Sequence, residues 1–324
     1  MQVGFKVLVD RYGIALAQPL RVESVIGTTR VSRESKGHTE NKYPVSYVPA
    51  DTFAGHFEFG LKYEEIHLEF FARLFAAVGP EPVAAWCRVA PFGQYARRTG
   101  FLYEWLTGQR LDVPDVTNGG YVDAISPQQY LTRVEPLKIR RWRVNNNLPG
   151  VPGFSPLIRR TEAVQEALQF NPGSALRELN QTFGADILRR TASWLTFKES
   201  RASFLIEKEA DKADRIQRFA HVIAQYCGHI DDPLSNGSLH TLQAGILGHE
   251  AIGLGLRHSP VFVGQATMRE NIVHYIAPPF EALPQLLDGL KAFELATRGA
   301  EPLARAAALA FAFVYIHPMR DGNG

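Results

Sequence analysis

The sequence contains only two cysteines and has no long uninterrupted apolar run. Cys87 and Cys227 lie far apart, in no metal-ligand or redox spacing. We therefore expect two small buried apolar residues, with a disulfide as the weaker alternative. No run of roughly 18 apolar residues occurs, which argues against a membrane-spanning helix. The segment Met1 to Arg11 carries charges inside its short apolar run, unlike a signal peptide. These features predict a cytoplasmic protein without a membrane partner.

The sequence also lacks a strong charge of either sign. Its 35 Lys and Arg residues face 33 Asp and Glu residues, for a net charge of +2, which argues against a nucleic-acid partner. Basic clusters occur at Arg97-Arg98, Arg140-Arg141-Arg143 and Arg159-Arg160 without a DNA-binding motif. We interpret them as solvated or ion-paired surface; a phosphate site or an acidic-partner site is the alternative.

The first half of the chain mixes patterns. Short apolar runs such as Lys6–Val9 are compatible with strands. Apolar residues recur at three- and four-residue steps from Tyr63 to Val78, where Gly79-Pro80 ends the run, so an amphipathic helix is predicted. A second helix is predicted from Tyr95 to Leu106, and residues 113–153 indicate turns with brief strands. We predict an α+β N-terminal domain over residues 1–190.

The second half has a different pattern. Helical periodicity resumes near Leu157 and dominates to the end, with breaks at Gly and Pro positions. The 324 residues suffice for two domains of ordinary size. The fold class is therefore predicted as mainly α, with a second domain over residues 191–324.

The end of the chain concentrates the chemistry. Pro302–Ile316 is apolar on every face, which predicts a helix buried in the core. This helix delivers His317, because Pro318 disfavours helical geometry in the residue before it. The run Asp321-Gly322-Asn323-Gly324 then supplies a carboxylate, two glycines free to take positive φ and closely spaced N–H groups. Such a turn can wrap an anion.

The run His317-Pro318-Met319-Arg320-Asp321-Gly322-Asn323-Gly324 resembles the Fic-family motif His-Pro-Phe-x-Asp/Glu-Gly-Asn-Gly/Lys-Arg. Met319 stands where the family usually has Phe, and an unbranched apolar side chain is a tolerable substitute. The sequence stops at Gly324, before the arginine that the family places next. We therefore expect the polypeptide to be longer.

The resemblance implies transfer of AMP from Mg-ATP to a Ser, Thr or Tyr hydroxyl of a target protein. His317 would be the general base, and Asp321 would hold Mg²⁺. Gly322, Asn323 and Gly324 would line the phosphate cradle. Gly324 replaces the lysine of the family's kinase-like branch, which favours nucleotidyl transfer over phosphorylation.

A predicted hairpin precedes the motif. Its first strand includes Val261, Phe262, Val263, Gly264 and Gln265, its second strand spans residues 272–276, and Pro278-Pro279 leads to a helix over residues 282–295. The order resembles the flap of a Fic-type helical core, which aligns an extended target segment by strand addition. An ordinary hairpin is the alternative.

The segment Ser203-Phe204-Leu205-Ile206-Glu207 resembles the inhibitory Ser/Thr-x-x-x-Glu-Gly/Asn motif of many Fic proteins. Helical spacing places Ser203 and Glu207 on one face. In relatives the glutamate pairs with the motif's last arginine and keeps the γ-phosphate of ATP from its productive position. Lys208 replaces the family's Gly or Asn, and a solvated Glu207 is the alternative.

Other functions stay open at this point. The same site could remove AMP from a modified protein, with Glu207 positioning a water, or it could transfer UMP. The chain could also be a non-catalytic module that only binds a partner. The resemblance covers residues 195–324 and implies no function for the first domain, and the sequence leaves a homo-oligomer open.

Overall fold

A computed structural model describes residues 1–206, 213–248, 254–266 and 270–323, and the chain forms two compact units, Met1–Leu148 and Pro149–Gly324. The sequence predicts a domain boundary near residue 190, where the family-like core starts. This boundary differs in kind from the division into compact units, and it stays a prediction. The predicted fold class is confirmed: the chain is mainly helical, with small sheets and an α+β N-terminal part.

The first unit combines short strands with five helices. Its helices are α1 (Phe5–Arg11), α2 (Phe53–Tyr63), α3 (Leu68–Val78), α4 (Glu81–Val89) and α5 (Gln94–Thr107). Its strands are β1 (Gln2–Val3), β2 (Val22–Gly27), β3 (Val31–Ser35), β4 (His38–Pro44), β5 (Val122–Asp123), β6 (Leu137–Ile139) and β7 (Val144–Asn146). One sheet has the order β1-β2-β4-β3, with β2 and β4 parallel, and the other has the order β5-β7-β6.

The strand expected at Lys6–Val9 is wrong, because these residues belong to α1. Phe5 and Leu8, one helical turn apart, are both buried. The ring of Phe5 lies 5.2 Å from that of Phe70 and 5.2 Å from that of Phe71, measured between centroids. The helix forms because this aromatic cluster buries one of its faces.

The helix predicted from Tyr63 to Val78 begins at Leu68 instead, since α2 ends at Tyr63. His67 is the N-cap of α3, and its Nδ1 accepts from the N–H of Phe70 at 3.1 Å. Glu64 turns inward, where its carboxylate accepts from the N–H of Phe5 at 2.8 Å. These two polar contacts end α2 and begin α3, although the apolar pattern of the sequence continues across the break.

The helix predicted from Tyr95 to Leu106 is confirmed as α5, which ends at the left-handed Gly108. The turns with brief strands predicted for residues 113–153 contain β5, β6 and β7. Trp142 packs directly on α5 at Gly100, where a Cβ atom would lie 2.3 Å from the indole ring. Its Nε1 donates to Glu104 at 2.8 Å, so this large side chain is buried with its polar group satisfied.

The second unit consists of helices and one hairpin. Its helices are α6 (Glu162–Gln169), α7 (Pro172–Phe183), α8 (Ala185–Ile206), α9 (Ala213–Tyr226), α10 (Asn236–Leu247), α11 (Leu283–Ala296) and α12 (Pro302–Ile316). Its strands are β8 (Phe262–Ala266) and β9 (Asn271–Ile276). Pro302–Ile316 has the predicted bounds, whereas the helical pattern expected from Leu157 begins at Glu162.

The prediction that α12 is buried on every face is wrong for the described residues. Ala312 and Ile316 lie in a core cluster with leucines of α10 and α11. Phe311 is 74% exposed and Val314 is 55% exposed. The helix therefore packs through the face that carries Ala312 and Ile316, against α10 and α11.

The two cysteines differ in their surroundings. Cys87 is buried, as expected, and Cys227 is exposed, so the prediction of two buried thiols is wrong for Cys227; both are free. Burial and the nearby Glu104 raise the pKa of the Cys87 thiol to about 12, which makes it an unreactive packing residue. None of the helices described here combines the length and apolarity needed to cross a membrane.

Candidate active site

Helix α12 ends at His317 in a left-handed conformation, with φ 49° and ψ 60°. A non-glycine residue rarely adopts this conformation, so surrounding contacts must hold it. Pro318 follows and has no N–H to offer the helix end. The sequence thus places the predicted base at the one position where the chain leaves the helix.

The last carbonyl groups of α12 have partners from three parts of the chain. The N–H of His317 donates to Phe313 O at 2.9 Å, and the Tyr275 hydroxyl donates to Tyr315 O. The guanidinium of Arg257 donates from Nε to His317 O at 2.7 Å and from Nη2 to Ile316 O at 3.4 Å. The helix end is therefore closed by side chains that come from outside the motif.

The imidazole of His317 lies half-buried in this setting. Burial lowers its pKa below the ordinary value of 6.5, and the positive charge of Arg257 lowers it further. A hydrogen bond to the backbone of Val314 acts in the opposite direction. The lowered pKa favours the neutral imidazole, which is the form that can accept a proton.

The motif turn is closed by its own asparagine. Asn323 Oδ1 accepts from the N–H of Met319 at 2.9 Å, and Asn323 Nδ2 donates to Met319 O at 2.8 Å. Met319 is buried, as its apolar character predicts. The side chain of Asn323 therefore shapes the turn, and its predicted contact with a phosphate stays a prediction.

Asp321, the predicted metal ligand, is fixed through both its main chain and its side chain. Gln243 Nε2 donates to Asp321 O at 2.8 Å, while Gln243 Oε1 accepts from the N–H of Gly255 at 2.6 Å. The carboxylate of Asp321 accepts from Arg215 Nη1 at 3.2 Å. Both side chains of this pair keep some exposure, 17% for Arg215 and 35% for Asp321.

The turn presents unused donors. Among the described residues, no acceptor pairs with the N–H groups of Asp321, Gly322 and Asn323. Gly322 has φ 83°, which confirms the expected positive φ at this position. Successive free N–H groups in such a turn form a concave donor set for an anion. Gly324, the last residue of the predicted cradle, lies outside the described residues.

The donor set around Asp321 suits one kind of metal complex. The described residues contain no group of three or more His, Cys, Asp or Glu side chains able to hold an ion. Mg²⁺ in nucleotide sites is commonly bound by one or two carboxylates together with substrate phosphates. A single partly exposed carboxylate next to free amides therefore fits Mg²⁺ that arrives with a nucleotide.

The predicted hairpin is present, with β8 and β9 antiparallel and a bulge between Val263 and Gly264. A Cβ atom at Gly264 would lie 2.4 Å from Ile272 O, so this close approach requires glycine. Phe262 and Val263 are exposed and Val261 is partly exposed, and Val261 O accepts from the N–H of Ala277 at 3.0 Å. Gln265 belongs to β8. Their predicted role in docking a target stays a prediction.

The predicted inhibitory pair is only partly covered by the structure. The backbone of Ser203 belongs to α8, which agrees with the helical spacing of the motif. Glu207 lies outside the described residues. The inhibitory contact therefore remains a prediction.

An apolar groove of about 690 Å³ opens beside the turn. Its walls come from α9, α10 and α12, with Met319, Gly322 and Asn323 at one end. The amides of Gln243 and Asn323 border it but are already hydrogen-bonded within the protein. The groove offers little to a phosphate, so the anion-binding chemistry belongs to the turn.

Arg257, Arg215 and Gln243 were not predicted from the sequence. Gln243 carries a weak signal, because a lone amide among the apolar residues of α10 must find buried partners. The two arginines carry none, since each meets the motif only through the fold.

The end of the chain is similar to a known protein family. Residues 238–324 match the model of the Fic/DOC family. Among solved structures the chain is similar to a Fic family protein from Desulfovibrio desulfuricans G20, with 20% identity and a TM-score of 0.40. That likeness covers 52% of this chain and 56% of the other, so the chain spans little more than half of that protein. No curated protein matches the chain.

The helix end, the motif turn and the hairpin all lie within the segment that the family model matches or at its border. The similarity of this segment to the Fic/DOC family supports a Fic-type transferase in general.

Proposed function

We propose that this protein transfers AMP from Mg-ATP to a Ser, Thr or Tyr hydroxyl of a target protein. Two features carry the proposal: a half-buried histidine at the end of α12, and next to it a turn whose N–H groups have no acceptor among the residues that the structure describes. The match to the Fic/DOC family over residues 238–324 supports the same reaction class.

In this proposal the free N–H groups of Asp321, Gly322 and Asn323 bind phosphate oxygens. Such donors are already oriented in the protein and need no rearrangement as negative charge develops. Asp321 would hold Mg²⁺, which when bound offsets charge on the phosphates. Arg215 now neutralises the same carboxylate, so binding of the nucleotide complex includes a change of partner at Asp321.

His317 acts as general base. The target hydroxyl loses its proton to the neutral imidazole while its oxygen attacks the α-phosphorus, and the bond to the β-phosphate oxygen breaks, releasing pyrophosphate. The lowered pKa of His317 keeps the accepting form populated near neutral pH. The exposed hairpin edge would hold the target segment by backbone pairing.

The experiment is incubation of the protein with ATP labelled at the α- or the γ-phosphate, alone and with cell extract. Incorporation of the α label only is the expected result, because phosphoryl transfer would deliver the γ label instead. His317→Ala should abolish incorporation and leave Mg-ATP binding within a few-fold, since only the proton acceptor is lost.

The alternatives give different outcomes in the same assay. Stronger labelling from UTP or GTP than from ATP would change the nucleotide in the proposal and would not change the residues of the site. Release of AMP from labelled protein by the parent but not by His317→Ala would indicate the reverse reaction. Absence of labelling and release would contradict the proposal and favour a binding module.

A further inference from the structure

Arg257 binds the carbonyl groups that the end of α12 leaves without main-chain partners. A helix that ends in a left-handed histidine followed by proline leaves carbonyl groups without main-chain partners. Arg257 supplies donors to two of them, at Ile316 and His317. Its own N–H donates to Pro318 O at 2.9 Å. One residue therefore binds three consecutive carbonyl groups around the predicted base.

The same guanidinium reaches both ends of the hairpin. Arg257 Nη1 donates to Ser259 O at 3.2 Å, just before β8, and Nη2 donates to Pro278 O at 2.6 Å, just after β9. The planar fork of arginine allows several such bonds in fixed directions, which a lysine cannot reproduce. The end of α12 and the two ends of the hairpin are thus fixed relative to each other by one side chain.

Arg257 is buried, with 3% of its surface exposed, and among the described residues its guanidinium donates to carbonyl oxygens alone. Burial lowers the pKa of Arg257, and the charges of Tyr275 and Glu281 act in the opposite direction. A buried cation without a paired carboxylate is costly. Packing alone does not explain why a charged side chain is buried here. Fixing the position and the charge state of a catalytic base does explain it.

We propose that Arg257 is the positioning residue for His317: it holds the base in its left-handed conformation and ties it to the hairpin that receives the target. The proposal rests on the proposed transfer reaction for its kinetic part. The closeness of the Arg257 charge to the His317 imidazole, which this positioning requires, can be tested without any reaction.

The test uses Arg257→Gln and Arg257→Lys in the whole protein. Glutamine removes the charge and most donors, while lysine keeps the charge and loses the fork. In Arg257→Gln we expect kcat for labelling to fall about tenfold or more, as for a displaced base, with the KM for ATP within threefold. Arg257→Lys should lose kcat as well, because the charge alone does not orient the histidine.

The reaction-independent measurement is an NMR titration of the His317 ring proton, identified by its absence in His317→Ala. The titration midpoint should move to higher pH in Arg257→Gln and stay near the parent's value in Arg257→Lys. Since this needs no turnover, it decides the electrostatic part even if the protein transfers no nucleotide.

Arg218→Gln is the matched control. Arg218 also binds carbonyl groups at a helix end, Ile246 O at 3.0 Å and Leu247 O at 3.4 Å on α10, but lies in another element. It should cost stability without moving the His317 titration. Unchanged kcat and unchanged titration in a folded Arg257→Gln would overturn the proposal. Failure of both Arg257 variants to fold would also overturn it, in favour of a role in folding alone.

Discussion

Arg215 and Asp321 form an ion pair across 3.2 Å that joins α9 to the motif turn. The carboxylate that is predicted to hold Mg²⁺ thus has a cationic partner within the protein. One carboxylate cannot serve a guanidinium and a metal ion equally well, because both neutralise the same charge. The pair therefore opposes metal binding, by an amount typical of partly exposed ion pairs.

Arg215→Gln should raise the preference of the protein for Mg-ATP over metal-free ATP. The quantity to measure is the ratio of ATP affinities with Mg²⁺ and with chelator, because the ratio cancels any direct attraction between Arg215 and phosphate. We expect a rise of about two- to fivefold, the equivalent of roughly 0.5–1 kcal/mol. Arg218→Gln on the same helix is the control, and an unchanged or lower ratio in Arg215→Gln would contradict the competition.

Asp321→Asn should weaken ATP binding mainly when Mg²⁺ is present. The substitution removes the charge and keeps the shape, and the turn retains its main-chain bond from Gln243 to Asp321 O. Calorimetric titration with Mg-ATP should give about a tenfold loss, and titration in chelator should give almost none. Equal losses in both would indicate that the side chain serves the turn and not a metal ion.

The residues that could be predicted from the sequence are contiguous. The bounds of α12, the placement of His317 at its end and the positive φ of Gly322 all follow from Pro318 and from the local apolar and glycine pattern. The hairpin follows from two short β-rich runs. Local patterns act over a few residues, so they are readable without the fold.

The residues that could not be predicted reach the motif over long distances along the chain. Arg257 contacts His317 from 60 positions away, and Arg215 contacts Asp321 from 106 positions away. The prediction that α12 is buried on every face was wrong for a related reason. An apolar sequence shows which residues of a helix can be buried. Which face is buried depends on the neighbouring elements.

The pH dependence of the reaction should follow His317. Its pKa is lowered by burial first and by Arg257 second, so the neutral base persists to a pH below 6.5 and is lost as the pH falls through the lowered pKa. The acidic limb of kcat against pH should therefore have its midpoint below 6.5. His221→Gln, which changes an exposed histidine of α9, should leave the midpoint in place. A midpoint at or above 6.5 would contradict this role.

Glu207→Ala should raise automodification or target labelling at saturating Mg-ATP. The expectation comes from the Ser203-x-x-x-Glu207 spacing, and alanine deletes the carboxylate while keeping helix propensity. Glu207→Gly should act in the same direction, although glycine lowers helix stability by about 1 kcal/mol. The double variant with His317→Ala is the control for background. No gain from either single variant, with His317→Ala still inactive, would make Glu207 a surface residue.

Stability of the first unit should fall as the pH rises from about 4.5 to about 7, because of Glu64. Burial raises the pKa of this carboxyl group to about 7, and Glu23 adds to the rise, against the hydroxyl of Ser24 and the N–H of Phe5. The folded protein therefore binds a proton that the unfolded chain has released above 4.5, and this contribution is lost as the pH rises through the folded pKa. The difference corresponds to at most about 3 kcal/mol.

Glu64→Gln tests this directly, because glutamine keeps an acceptor for the N–H of Phe5 and has no proton to lose. Three of the four tryptophans, Trp86, Trp105 and Trp142, lie in the first unit, so urea unfolding followed by their fluorescence reports mainly on this unit. Between pH 5 and pH 8 the parent should lose about 2–3 kcal/mol more than Glu64→Gln. Glu34→Gln, at an exposed position of β3, should behave like the parent. Equal losses in the parent and in Glu64→Gln would mean that the carboxyl group of Glu64 is ionised in the folded protein at neutral pH.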